Sequence, residues 1–273
     1  MNSAAGSGSS MRGPAGLALA AVLWLLAGCV SAPPASNGRE PRTASDQTDP
    51  EQRARVRLEL AGLYLARGQT SVALDEIKRA IAAKPDLAES YSLRGLIYAS
   101  MGEPGLAEES FQRARQLAPR DGDAMHNFAW FLCQQKRYAE ADAQFSNALM
   151  QTQYREVVRT LLAQGVCQAR AGRWTEAERT LSRSYELDPS NPVTAYNLSE
   201  VLARRGEFDR ARFYVGRINA MPELVTAQSL WLAVRIERGL GNQQSVQDYG
   251  RKLLDRYPQS DEASKFERGR FDE

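Results

Sequence analysis

An all-α array of about six helix–turn–helix units, wound into a right-handed superhelix, is the fold that the sequence predicts. Three recurrences predict it. Gly68, Gly102, Gly172, Gly206 and Gly241 stand 34, 70, 34 and 35 residues apart, with Lys136 on the rung missing from the longest gap. Alanine recurs at Ala73, Ala107, Ala141, Ala177 and Ala211, and proline at Pro85, Pro119, Pro189 and Pro258. A step of about 34 residues is the length of a helix, a turn and a second helix that stack on the next such pair.

With the turn glycine set at position 15, the units cover residues 54–87, 88–121, 122–155, 158–191, 192–225 and 227–260. Glycine at position 15 takes a positive φ where the first helix ends. Small residues at position 20, joined by Ala80, Ala114 and Ala148 at position 27, lie two turns apart on one face of the second helix and let the pair approach closely. Large residues at position 24 (Ile77, Phe111, Phe145, Leu181) fill the space between units. Proline at position 32 closes the second helix, because it cannot continue one.

The departures carry their own expectations. Unit three has Lys136 for the turn glycine and no proline at position 32, and two extra residues precede unit four. A longer loop near Met150–Glu156 and a slight break in the superhelix follow. Position 27 also drifts, to Ser184, Ile218 and Leu253 in the last three units. Together these features resemble the tetratricopeptide family from about Ala54 to Ser260. The resemblance implies a curved solenoid whose concave face holds another protein.

Composition is that of a folded chain, with 43% apolar and 25% charged residues. A formal charge of +2 without a basic run gives no case for nucleic acid. The first 28 residues read as a secretory signal: Arg12, then an apolar stretch from Leu17 to Ala27. That stretch is shorter than the roughly 20 residues of a bilayer span. Its end, Leu26-Ala27-Gly28-Cys29, resembles a bacterial lipobox, which implies lipidation of Cys29 as the first mature residue. Val30 after the cysteine suggests the outer membrane by analogy with known lipoproteins. Residues 29–50 are rich in Ser, Pro, Ala, Asn and Thr and read as a flexible tether. Its root-mean-square reach is roughly 25 Å. Residues 51–260 hold the six repeats, and 261–273 read as a charged C-terminal tail.

No catalytic constellation is visible, and the chain reads as a binding scaffold without cofactor, metal or small-molecule substrate. The single histidine, His126, cannot supply a metal site, which needs three or four ligands, or a hydrolase triad; it reads as a surface or groove residue. No glycine-rich phosphate loop occurs. Cys133 and Cys167 fall on the first helices of units three and four, which lie side by side in such an array. They are read either as a disulfide closing a loop of about 34 residues, contributing roughly 3–4 kcal/mol, or as two buried thiols.

The tetratricopeptide resemblance implies that positions 2, 5, 9, 12 and 13 of each first helix line the concave groove. In units one and two they place Leu58, Gly62, Leu65, Leu96 and Ala99 there, an apolar trough suited to an amphipathic helix or hydrophobic peptide. Trp130 extends it, and Tyr196, Trp231 and Arg235 are candidate anchors further on. Two segments are more specific than the array. His126-Asn127-Phe128-Ala129-Trp130-Phe131-Leu132-Cys133-Gln134-Gln135 resembles the third repeat of the type IV pilus biogenesis/stability family (PilW/PilF). Leu230-Trp231-Leu232-Ala233-Val234-Arg235-Ile236-Glu237-Arg238, followed by Leu240-Gly241-Asn242, resembles the family's last repeat, although Asn242 stands where an acidic residue is usual. The resemblance implies a lipid-anchored pilotin on the periplasmic face of the outer membrane, whose partner is the type IV pilus secretin and which promotes secretin localisation and multimerisation. An adaptor for cell-wall hydrolases or for outer-membrane barrel assembly is the alternative client reading of the same scaffold.

Overall fold

The computed structural model describes residues 49–271. The leader, Cys29 and nearly all of the tether expected at 29–50 lie outside the described residues. Six helix pairs follow one another. They are α1 (Pro50–Ala66) with α2 (Thr70–Ala83), α3 (Ala88–Ser100) with α4 (Pro104–Leu117), and α5 (Gly122–Gln134) with α6 (Tyr138–Leu149). After these come α7 (Val157–Arg170) with α8 (Trp174–Leu187), α9 (Pro192–Arg204) with α10 (Phe208–Asn219), and α11 (Ala227–Gly239) with α12 (Gln243–Arg256). A short α13 (Asp261–Glu267) closes the series. The described residues form an all-helical tetratricopeptide superhelix. None of the described helices is long and apolar enough to cross a membrane.

The turn within each pair is the same device six times. The first helix ends and the turn residue adopts a left-handed conformation, with φ of 72° at Gly68, 77° at Gly102 and 74° at Gly172. The next residue then donates its N–H back across the turn, as Gln69 does to Tyr64 O at 2.9 Å and Arg137 to Leu132 O at 2.9 Å. This bond satisfies a carbonyl that the helix end leaves without a partner.

Within each pair, a small residue at position 8 of the first helix faces a large one at position 24 of the second. A Cβ placed on Gly95 would stand 2.7 Å from the Phe111 ring, and one on Gly165 would stand 2.6 Å from Leu181. Both large side chains are fully buried, as are the position-20 alanines. Unit six inverts the pattern. Its position 24 is Gly250, and the Phe266 ring from α13 lies where a side chain there would be, 1.9 Å from a built Cβ. The segment expected as a charged tail at 261–273 is therefore in part a capping helix, started by the Ser260 side chain accepting from Ala263 N.

Where position 32 is proline, the second helix runs to position 30 and the connection is short: residues 84–87, 118–121, 188–191 and 257–260. Units three and five lack that proline, and their second helices stop two residues earlier, at Leu149 and Asn219. The longer connections span 150–156 and 220–226. The first was expected from the sequence. The second was hidden, because the single extra residue after unit five barely disturbs the glycine spacing. Proline's fixed φ sets one short return path, and without it the chain leaves the helix sooner.

Candidate functional site

The six residues expected to line the groove sit on three successive first helices, with α1 packed on α3 and α3 on α5. Leu58, Gly62 and Leu65 follow one another at helical spacing along one face of α1. Leu96 and Ala99 continue on α3, and Trp130 on α5. All six are half-buried. Their inner sides pack on the core: Leu58 and Leu65 against Ala61, Ile77 and Ile97, and Leu96, Ala99 and Trp130 against Phe111, Phe131 and Leu132. Their outer sides stay accessible. A Cβ on Gly62 would meet nothing within 4 Å, so the trough is open at its middle. The Arg170 guanidinium lies 5.0 Å from the Trp130 ring centre and marks the end of the apolar stretch.

Further anchors fare differently. Tyr196 is half-buried, and burial, with the nearby Glu200 carboxylate, pushes its phenol up to about 12. It therefore stays neutral at every physiological pH. Trp231 is 6% exposed. Phe271 stacks on it with ring centres 5.7 Å apart. The chain's own C-terminal segment covers it, so Trp231 is not an exposed groove anchor.

The junction of units three and four is tied by side chains. Cys133 on α5 and Cys167 on α7 form a disulfide, with Cα atoms 5.9 Å apart. His126 is buried, contrary to the surface or groove placement expected for it. Its Nε2 accepts from Arg159 Nε at 3.2 Å, so Nδ1 carries the proton and donates to Thr160 Oγ1 at 2.7 Å. Thr160 Oγ1 is in turn 2.6 Å from the Tyr154 hydroxyl. Burial, reinforced by the Arg159 charge, lowers the His126 pKa to about 4. The Tyr154 ring rests on Gly122, where any side chain would clash at 2.4 Å. Among the described residues no cluster of His, Cys, Asp or Glu could hold a metal ion.

Sequence reasoning missed a set of inter-unit latches. Position 21 is Glu108, Asp142, Glu178 and Arg212 in units two to five, and each pairs with the following unit. Glu108 meets Arg137 at 2.7 Å and Asp142 meets Arg173 at 3.0 Å. Glu178 meets Arg205, and also Arg210 at 2.7 Å. In the last junction the polarity reverses, and Arg212 donates twice to Glu237, both bonds 2.8 Å. The recurring charge at position 21 was the available signal. Burial pulls the Asp142 carboxyl upward, but hydrogen bonds from Gln164, Gln168 and Arg173 outweigh it and leave the group below the usual range.

Comparison with known proteins agrees with the tetratricopeptide fold. Tetratricopeptide-repeat families match residues 58–122 and 98–165. The type IV pilus assembly protein PilF of Pseudomonas aeruginosa is 27% identical over 252 residues, covering 91% of this chain and 97% of that protein. The crystal structure of PilW, a widely conserved type IV pilus biogenesis factor, matches with a TM-score of 0.73 at 28% identity, over 78% of this chain and 97% of PilW. The Pseudomonas aeruginosa PilF structure matches with a TM-score of 0.68 at 25% identity, over 81% of this chain and 99% of its own.

Proposed function

From its tetratricopeptide repeats and its homology to the type IV pilus biogenesis factors PilF and PilW, we propose that this chain is an outer-membrane pilotin. It acts on the periplasmic face, anchored by acyl chains on Cys29. Each buried methylene of such a chain contributes about 0.8 kcal/mol, so two or more chains hold the body to the leaflet. The apolar trough of units one and two takes a hydrophobic segment of a pilus secretin monomer. Joining a membrane address to a binding groove turns secretin capture into a local event at high effective concentration, which favours multimer assembly at the outer membrane.

One observation carries the reading. Leu58, Leu65, Leu96 and Trp130 are half-buried, with inner sides fixed by the core, beside open space at Gly62. A rigid apolar face of this kind loses little conformational entropy on binding. Leu58→Glu and Leu96→Glu place a charge on that face. Each is expected to abolish secretin multimers on semi-native gels while the lipoprotein remains helical and in the membrane fraction. Normal multimers in both variants would eliminate the groove reading. Cys29→Ala is expected to release the protein from the outer membrane and reduce piliation, with peptide binding by the groove unchanged.

A further inference from the structure

At the far end of the array, a cleft of about 430 Å³ opens among Arg204 of α9, Phe208 of α10, Arg235 and Arg238 of α11, and Phe271. Phe271 forms one wall. Its ring stacks on Trp231 at 18° between planes, and the Arg238 guanidinium covers it at 4.5 Å from the ring centre. Phe208 forms part of another wall, against Gly239.

Guanidinium groups around one cleft, as Arg204 and Arg235 are, repel one another unless anions separate them. Among the described residues neither Arg204 nor Arg235 has an ion-pair partner. Glu200 and Glu262 lie near enough to act with Arg235 on the Tyr196 phenol, yet neither closes an ion pair with it. Elsewhere in the molecule the inter-unit arginines are answered by carboxylates, as Arg137, Arg173 and Arg212 are. Arg204 and Arg235 thus hold unanswered positive charge beside aromatic walls. Planar guanidinium groups grip carboxylates through paired N–H donors and stack on rings, so this combination fits one chemistry.

We propose that this cleft is a second docking site, for a partner-protein segment in which an aromatic side chain stands among acidic residues. The ring enters the cleft beside Phe208 and Phe271, and the flanking carboxylates bridge Arg204 and Arg235. The site goes beyond the pilotin reading. It lies in units five and six, away from the trough residues of units one to three, and its test is independent of pilus assembly.

Fluorescence anisotropy of the full chain in detergent solution, titrated against a dye-labelled peptide with one phenylalanine flanked by glutamates, tests it. Saturable, salt-sensitive binding is expected, with the glutamine version of the peptide about tenfold weaker. Arg204→Glu and Arg235→Glu are each expected to weaken binding roughly fivefold, with helical circular dichroism unchanged. Asp272→Asn with Glu273→Gln removes the acidic residues that follow Phe271 in the sequence. Binding by this double variant, whether or not the intact chain also binds, supports the site. The proposal is overturned if the double variant shows no saturable binding, if the glutamine peptide binds equally, or if both arginine reversals leave affinity unchanged.

Discussion

Lys136 adopts φ 61° at a turn where the other units place glycine. The left-handed conformation crowds a Cβ against the following carbonyl, a cost of about 1–2 kcal/mol for a residue with a side chain. Lys136→Gly removes that crowding but enlarges the unfolded ensemble. The net expectation is a gain of about 0.5–1 kcal/mol, read as a higher urea midpoint; a lower midpoint would show that the lysine side chain contributes more than its backbone costs. His126 gives a second residue-scale expectation. The unfolded chain binds a proton there below about pH 6.5, the folded chain only below about 4. The stability carried by the neutral, hydrogen-bonded ring is therefore complete above pH 6.5. It is lost as pH falls from 6.5 to about 4, to the extent of about 3 kcal/mol. Melting temperatures across that window should fall more steeply for the native chain than for His126→Gln, and parallel curves would refute a neutral buried imidazole. The odd rung at Lys136 was legible because the period exposes it. The burial of His126 was not, because Thr160 and Arg159, which hold it, belong to the next unit.

At the scale of elements, the helix pairs were legible from local rules: a turn residue, small positions 20 and 27, and a closing proline. The ends of α2, α4, α8 and α12 all fall at position 30, just before that proline. The latches between units were not legible, since a charge at position 21 looks like an ordinary solvated residue until its partner is placed. Asp142 shows their weight. It accepts from Gln164 and Gln168 at 2.9 Å each and pairs with Arg173, so one side chain joins α6 to α7 and the turn beyond it. Asp142→Ala removes the acceptor of Gln168 and Arg173 and leaves Gln164 only Ser146 Oγ, at 3.1 Å. It is expected to lower the unfolding free energy by about 2 kcal/mol in urea titrations. A double-mutant cycle with Arg173→Ala should return a coupling of about 1 kcal/mol, because the two share one network. Additive effects would mean that the latch contributes nothing.

Across the whole molecule, each unit touches its neighbours, so damage at one end should stay there. Phe266 of α13 closes the last unit by filling the space at Gly250. Phe266→Ala is expected to cost about 2 kcal/mol and to speed amide exchange in α11 and α12, with α3 to α6 little changed. Uniform acceleration along the chain would show a single cooperative unit instead. The same one-dimensional layout separates surfaces. The half-buried apolar residues of the trough lie on the first helices of units one to three, and Arg204, Arg235 and Arg238 line the cleft of units five and six. Trp231 belongs to neither surface, because α13 and Phe271 turn back over it.

The sequence by itself determined the helix pairs and their number. Each follows from backbone rules that act within one unit and repeat every 34 residues or so. Its third and last repeats also carried the resemblance to pilus factors that the comparisons bear out. Only the tertiary structure decided the burial of His126, the latches at position 21, the second long connection at 220–226 and the covering of Trp231. Apart from that connection, those features join side chains from different units or from beyond the last repeat. The period places such residues near one another, but only packing selects which of them meet.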